Sequence, residues 1–193
     1  MRARMALAAS GYVVRLREVV LKDKPEEMLA ASPKGTVPVL VDGEVIIEES
    51  RAIMDWALSR NDPEGWRQRR DAALIDECDG PFKHHLDRYK YAARYEGADA
   101  IEHRREAMAF IDKLEARLAE APFLCGATRG LADIAIFPFV RQFRIADPAW
   151  FDAAPIPRVQ KWLKGLSASP LFLSVMDKYP PWKETGEEFP FPK

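Results

Sequence analysis

Five residues within one short stretch, Lys34, Val37, Pro38, Glu49 and Ser50, have the types and spacing to hold a small zwitterionic peptide. An X-Pro bond has only a small preference for trans, and a cis bond makes a tight turn. The position of Val37-Pro38 before a short strand and a hairpin favours cis. A cis bond there would leave the N–H and C=O of Val37 open to an extended peptide, which could pair with them like an added strand. Glu49-Ser50 opens a helical pattern. A helix N-terminus offers unpaired N–H groups and partial positive charge, which attract a carboxylate. Ser50 adds a hydroxyl donor, and Glu49 can accept from an ammonium group, so the pair suits both charged ends of an amino acid. The plain alternative is an ordinary N-cap. Placement one hairpin after Val37-Pro38 favours binding. Lys34 fits a second carboxylate or a solvated loop charge equally well.

Other reactive side chains form weaker patterns. Cys78 with His84 and His85 matches no zinc spacing, and a second cysteine pair is lacking, so no metal is expected. Cys78 and Cys125 are far apart with no CxxC spacing and read as buried, reduced thiols. Tyr89, Tyr91 and Tyr95 recur with His85 near helical spacing; they line a substrate cleft or, by preference, pack against a neighbouring helix. Arg67, Arg69, Arg70, Arg104 and Arg105 read as solvated helix faces.

The elements that must position the five residues follow from turn chemistry and periodicity. Residues 1–10 are Ala-rich and helical, with Gly11 as a stop. Residues 12–21 are β-branched and read as a strand, with Val14, Leu16 and Val20 on one face. Residues 25–31 fit a short helix with proline in its first turn. Two strands, 39–41 and 45–47, flank Asp42-Gly43, a strong hairpin signal. A helix over 50–59 carries an apolar stripe of Ile53, Met54, Ala57 and Leu58. The texture changes near Asn61-Asp62-Pro63-Glu64-Gly65, a plausible linker. Beyond it helices are predicted over 66–95 (broken near Gly80-Pro81), 99–119, 131–144, 158–166 and 170–178. The tail from Tyr179 holds four prolines and is expected to be irregular.

Composition excludes several functions. The 193 residues are 48% hydrophobic and 31% charged, with 29 basic against 30 acidic residues and a net charge of -1. No basic field exists to hold nucleic acid. No apolar run approaches the roughly 20 residues needed to cross a bilayer, so no membrane partner is expected. The apolar stretch over 5–9 is too short for a secretory signal, and the expected location is cytoplasmic.

Ser32-Pro33-Lys34-Gly35-Thr36-Val37-Pro38-Val39-Leu40 with Glu49-Ser50-Arg51-Ala52-Ile53 resembles the glutathione S-transferase family, nearest its bacterial, omega/beta-like branches. Phe123-Leu124-Cys125-Gly126 and Leu131-Ala132-Asp133-Ile134-Ala135 resemble the same family's C-terminal domain, so the likeness spans nearly the whole chain. The resemblance implies an α/β thioredoxin-like N-terminal domain over 1–62 and an all-α helical bundle over 66–193. It implies glutathione as co-substrate, bound at Val37, Pro38, Glu49 and Ser50 with Lys34 on the glycine carboxylate. It also implies a homodimer, and a small electrophile as second substrate, conjugated to the glutathione sulfur (EC 2.5.1.18-like).

Two departures from that pattern stand out. The family opens with a strand carrying a thiol-activating Tyr, Ser or Cys, whereas this chain starts on what resembles the first helix. The expectation is an incomplete first domain, shortened at its N-terminus and lacking a central strand, and no catalytic residue is assigned. The family also commonly has Ser or Thr where Gly130 stands, three before Asp133; Gly is an acceptable N-cap without a side-chain acceptor. Alternatives to the transferase are a glutathione-dependent thiol-disulfide reductase, needing an upstream cysteine, and a non-catalytic binding protein of the same fold.

Overall fold

The Ala-rich start folds as α1 (Arg2–Ser10) and stops at Gly11, whose φ of 67° is open to glycine at little cost. The computed structural model describes residues Met1–Lys193. After α1 come β1 (Val14–Leu16) and α2 (Glu26–Ala31), with Pro25 at the N-cap. The strand expected over 12–21 is thus cut to three residues, and beyond it only single bridges occur, Glu18 with Pro181 and Val20 with Asp23. β2 (Leu40–Asp42) and β3 (Val45–Ile47) form the expected hairpin, with Leu40 opposite Ile47 and Asp42 opposite Val45. Gly43 takes φ 61° in the two-residue turn. α3 (Ser50–Arg60) follows. Asp42 ties the turn to α3, its Oδ2 accepting from Trp56 Nε1 at 3.0 Å and from Arg60 at 2.6 Å. Met5 and Ala6 of α1 and Met54 and Ala57 of α3 are all fully buried where the two helices pack.

Next in the chain are α4 (Ala72–Glu77), a π-turn over Cys78–Phe82, and α5 (Lys83–Lys90). The long helix expected from 66 starts only at Ala72, after a 3-10 turn over Trp66–Gln68, and at Gly80-Pro81 it widens into the π-turn and continues rather than breaking. α6 (Ala100–Glu120) begins at Asp99, whose side chain accepts from the N–H groups of Ile101 and Glu102. α7 (Leu131–Ala146), α8 (Pro148–Ala153) and α9 (Pro157–Ser167) complete this part. α7 packs against α4, α5, α8 and α9, and nine of its almost wholly apolar first ten residues are buried, all but Phe139, as a central helix requires. No helix is long and apolar enough to cross a membrane.

The tail departs from expectation. α10 (Pro170–Ser174) is shorter than predicted, and the segment taken as irregular holds α11 (Trp182–Thr185) and β4 (Phe189–Phe191). β4 pairs antiparallel with β1, Val14 opposite Phe191 and Leu16 opposite Phe189. Pro190 is tolerated because β4 is an edge strand. Phe191 is 2% exposed, and Arg4 lies over the rings of Tyr179 and Phe191. Two compact units result, Met1–Glu64 with Pro170–Lys193 and Gly65–Ser169. The second unit therefore ends before the tail that the sequence reading gave to it. β1 and β2 lie in separate two-stranded sheets.

Asp133 organises the second unit. It is wholly buried, and its carboxylate accepts from Gly130 N at 2.9 Å, Leu124 N at 3.0 Å and Trp162 Nε1 at 2.8 Å. Burial pushes its carboxyl above the usual range while these donors pull the other way. The glycine at 130 has a steric cause: a Cβ there would collide with the Arg69 carbonyl and stand 2.5 Å from Arg69 Cβ. Arg69 is thereby no solvated surface charge, for its Nε donates to the Arg129 carbonyl at 3.1 Å. Gly130→Ser, which supplies the missing cap hydroxyl, is expected to destabilise the protein by about 1–3 kcal/mol through overpacking. Asp133→Asn is expected to cost about 2–3 kcal/mol, because its amide turns a donor toward one of three donors. Denaturant unfolding of both variants checks this, and a Gly130→Ser protein as stable as the parent would contradict the steric account.

Candidate functional site at the start of helix α3

Glu49 occupies the N-cap position of α3 in extended conformation (φ -98°, ψ 134°), yet its side chain makes no capping bond. The carboxylate points outward, 72% exposed. Glu49 therefore does not use its side chain as an ordinary N-cap, and the acceptor remains available to a cation. Its carbonyl accepts from Ile53 N at 2.9 Å and starts the helical ladder. The first N–H groups of the helix keep the partial positive charge that an anion can use.

Ser50, half-buried, is the first helical residue. Arg2 Nη1 donates to its Oγ at 3.3 Å. Arg2 is itself only 7% exposed, so a cation is held against the start of α3 with little water around it. The Ser50 hydroxyl, accepting from Arg2, keeps its own proton to donate. Sequence reasoning missed Arg2. Its sole signal was that it is one of two arginines, with Arg4, in an otherwise apolar helix start, and the partner lies 48 positions away.

On the other side, Lys34 Nζ stands 3.6 Å from Glu48 Oε2 and 3.6 Å from Glu49 Oε1. It is 59% exposed, so water screens these pairings and the lysine can exchange them for a ligand carboxylate. Glu48, not anticipated, is fixed by the wholly buried Ser32, whose Oγ donates to Glu48 Oε1 at 2.6 Å. That bond holds the loop over 32–38 to the segment leading into α3. Within the loop the Val37-Pro38 bond is cis, as expected, and Val37 is 42% exposed. The structure thus brings Lys34 to Glu48 and Glu49, sets Arg2 on Ser50, and leaves Val37 exposed beside the half-buried Pro38 in the same loop as Lys34. Cationic and anionic groups alternate over a few ångströms, which suits a zwitterion rather than a simple anion.

Neither cysteine supplies an obvious nucleophile. Cys78 is buried, and burial with Asp133 and Asp71 nearby pushes the half-buried Cys125 thiol up, away from the reactive thiolate. Tyr89 packs, 8% exposed, against Phe143 with ring centroids 5.2 Å apart. Tyr91 and Tyr95 lie under the guanidinium groups of Arg94 and Arg88, at 4.3 and 4.4 Å. Arg104, read as a solvated charge, stacks on Trp150 at 4.2 Å.

Known proteins resemble this chain along most of its length. The family described as "Glutathione S-transferase, N-terminal domain" matches residues 1–65, and "Glutathione S-transferase, C-terminal domain" matches residues 64–165. The chain is 31% identical over 186 residues to glutathione S-transferase 4 of Zea mays, covering 88% of this chain and 83% of that protein. It is 28% identical over 174 residues to glutathione S-transferase 3 of Zea mays, covering 81% and 78%. Among solved structures, glutathione S-transferase III in apo form superposes with a TM-score of 0.70 at 24% identity, over 93% of each chain. Glutathione S-transferase-I bound with lactoylglutathione gives 0.69 at 25% identity, over 90% of this chain and 91% of that one. These neighbours share the α/β thioredoxin-like first domain and the helical second domain. The maize relatives do not single out an omega/beta-like branch, and they favour neither the reductase nor the binding-only reading. With one family description on each half and a maize relative along most of its length, the chain belongs to the glutathione S-transferase family.

Proposed function

We propose that this protein binds glutathione at the start of α3 and conjugates it to a small apolar electrophile. The observation that carries the reading is the uncapped, outward Glu49 carboxylate beside Ser50, which is backed by the buried Arg2 guanidinium. The γ-glutamyl end of glutathione has an ammonium and a carboxylate on one carbon. Glu49 takes the ammonium; the α3 N–H groups, the Ser50 hydroxyl and the Arg2 charge take the carboxylate. The Val37 backbone pairs with the extended tripeptide across the cis Val37-Pro38 turn, and Lys34 leaves Glu48 and Glu49 for the glycine carboxylate. Two related structures are described as bound with lactoylglutathione and with two glutathione molecules, which supports a ligand of this class.

In the conjugation step the thiol gives its proton to solvent, the sulfur forms a bond to the electrophilic carbon, and the leaving group departs with its electron pair. No side chain is assigned to activate the thiol. The proposal includes a cytoplasmic setting, in keeping with Cys78 and Cys125 forming no disulfide. It also includes a homodimer, supported by the apolar pair Val41 and Ile46, which lie opposite each other in the hairpin and are 57% and 45% exposed.

Calorimetric titration with glutathione tests the site. Ser50→Ala is expected to weaken binding about tenfold, or about 1.4 kcal/mol, and Glu49→Gln by a similar factor; unchanged affinity in both would remove the assignment. Conjugation to a chloronitroarene, followed by absorbance, tests the chemistry separately, since binding without turnover would leave the site standing and exclude the transferase. Ile46→Asp is expected to shift sedimentation from dimer to monomer, and a dimer that survives it would place the interface elsewhere.

A further inference from the structure

All three histidines of the chain, His84, His85 and His103, meet at one point of the second unit, although one stands 18 residues from its nearest partner. His84 and His85 are in the first turn of α5, and His103 is in the first turn of α6, which packs against α5. The Nδ1 atoms of His85 and His103 are 2.9 Å apart. The ring centroids form a triangle with sides of 5.0, 5.1 and 5.9 Å. One ligating nitrogen from each ring lies within 4.8 Å of the other two. The sequence weighed Cys78 with His84 and His85; the third member comes from a different helix, which no local spacing shows.

We propose that His84, His85 and His103 bind a divalent transition-metal ion of the imidazole-preferring class, represented by Zn2+. Three imidazoles with water completing the shell is an established donor set for such ions. Tetrahedral coordination at about 2.0–2.1 Å spaces ligand nitrogens by about 3.3 Å. The close His85–His103 contact must widen slightly, and His84 must close in. That is a small movement for His84, which is solvent-exposed, while His85 and His103 are half-buried and already in register. Burial, neighbouring Arg88 and the other histidines hold His84 and His85 below the usual imidazole range, so both offer a lone pair at neutral pH.

The surrounding charges modulate the site. On α6, Glu106 lies one turn beyond His103 and its charge is felt at His85, which favours a cation. On α5, Asp87 acts in the same sense at His84, while Arg88 opposes it. Arg88 Nη1 stands 3.0 Å from His84 Nδ1, so the guanidinium competes with a metal for that nitrogen. Its contact with the Tyr95 ring at 4.4 Å offers Arg88 another resting place. The site does not depend on the glutathione assignment.

Calorimetric titration of untagged full-length protein with Zn2+ in a non-chelating buffer at neutral pH tests the proposal. One ion per chain is expected. His84→Gln and His103→Gln should each weaken binding about tenfold or more, and Arg88→Gln should tighten it or leave it unchanged. Co2+ substitution should give visible absorption bands that are lost in the same histidine variants. His103→Gln can loosen the α5–α6 contact, so thermal melting accompanies it, and the exposed His84→Gln decides the matter if the other variant unfolds. No binding up to millimolar Zn2+, or the same affinity within twofold in His84→Gln, would overturn the proposal.

Discussion

The first unit depends on the apolar seam between α1 and α3. Met5, Ala6, Met54 and Ala57 are fully buried there and Ile53 is 2% exposed, each large side chain contributing about 1.5–3 kcal/mol by leaving water. The seam fixes the start of α3 against the start of α1, and its polar end is the Arg2–Ser50 contact. Burying a guanidinium is costly unless it has partners. Ser50 is one such partner. The first N–H groups of α3 keep a partial positive charge that an anionic ligand group would meet.

The two units treat the same physical problem in opposite ways. Each has a helix whose first N–H groups need acceptors and a charged side chain buried beside it. In the second unit Asp133 accepts from Gly130, Leu124 and Trp162, so the start of α7 is closed and structural. In the first unit the start of α3 has Arg2 where an acid would cap it, and Glu49 turns its carboxylate to solvent. One helix start is satisfied from within the chain. The other keeps the Glu49 carboxylate open to solvent, and the surrounding Lys34, Glu48 and Ser32 add to it a zwitterionic pattern.

Short-range chemistry was legible in the sequence. Asp42-Gly43 between apolar pairs specified the hairpin, Glu49-Ser50 marked a helix start, Val37-Pro38 marked the turn, and Gly80-Pro81 marked an irregular turn within the long helix. What escaped was long-range pairing, which no local period encodes. Arg2 reaches Ser50 and Ser32 reaches Glu48 only because helices and loops fold back on each other. His103 reaches His85 across two helices in the same way. The tail strand escaped for another reason. Pro190 and Pro192 argue against a strand in general, but β4 is an edge with a single partner, where a missing N–H is tolerated. Gly130 looked like a weakened cap until the Arg69 backbone was seen to fill the space beside it.

The account's central claim is the location of glutathione, and a two-dimensional 15N NMR titration of the uniformly labelled protein locates it most directly. The account predicts that glutathione moves the amide signals of Val37, Ser50 and Arg51 most, with a smaller shift at the Arg2 side chain. Shifts that cluster elsewhere, with the start of α3 unmoved at saturation, would contradict it.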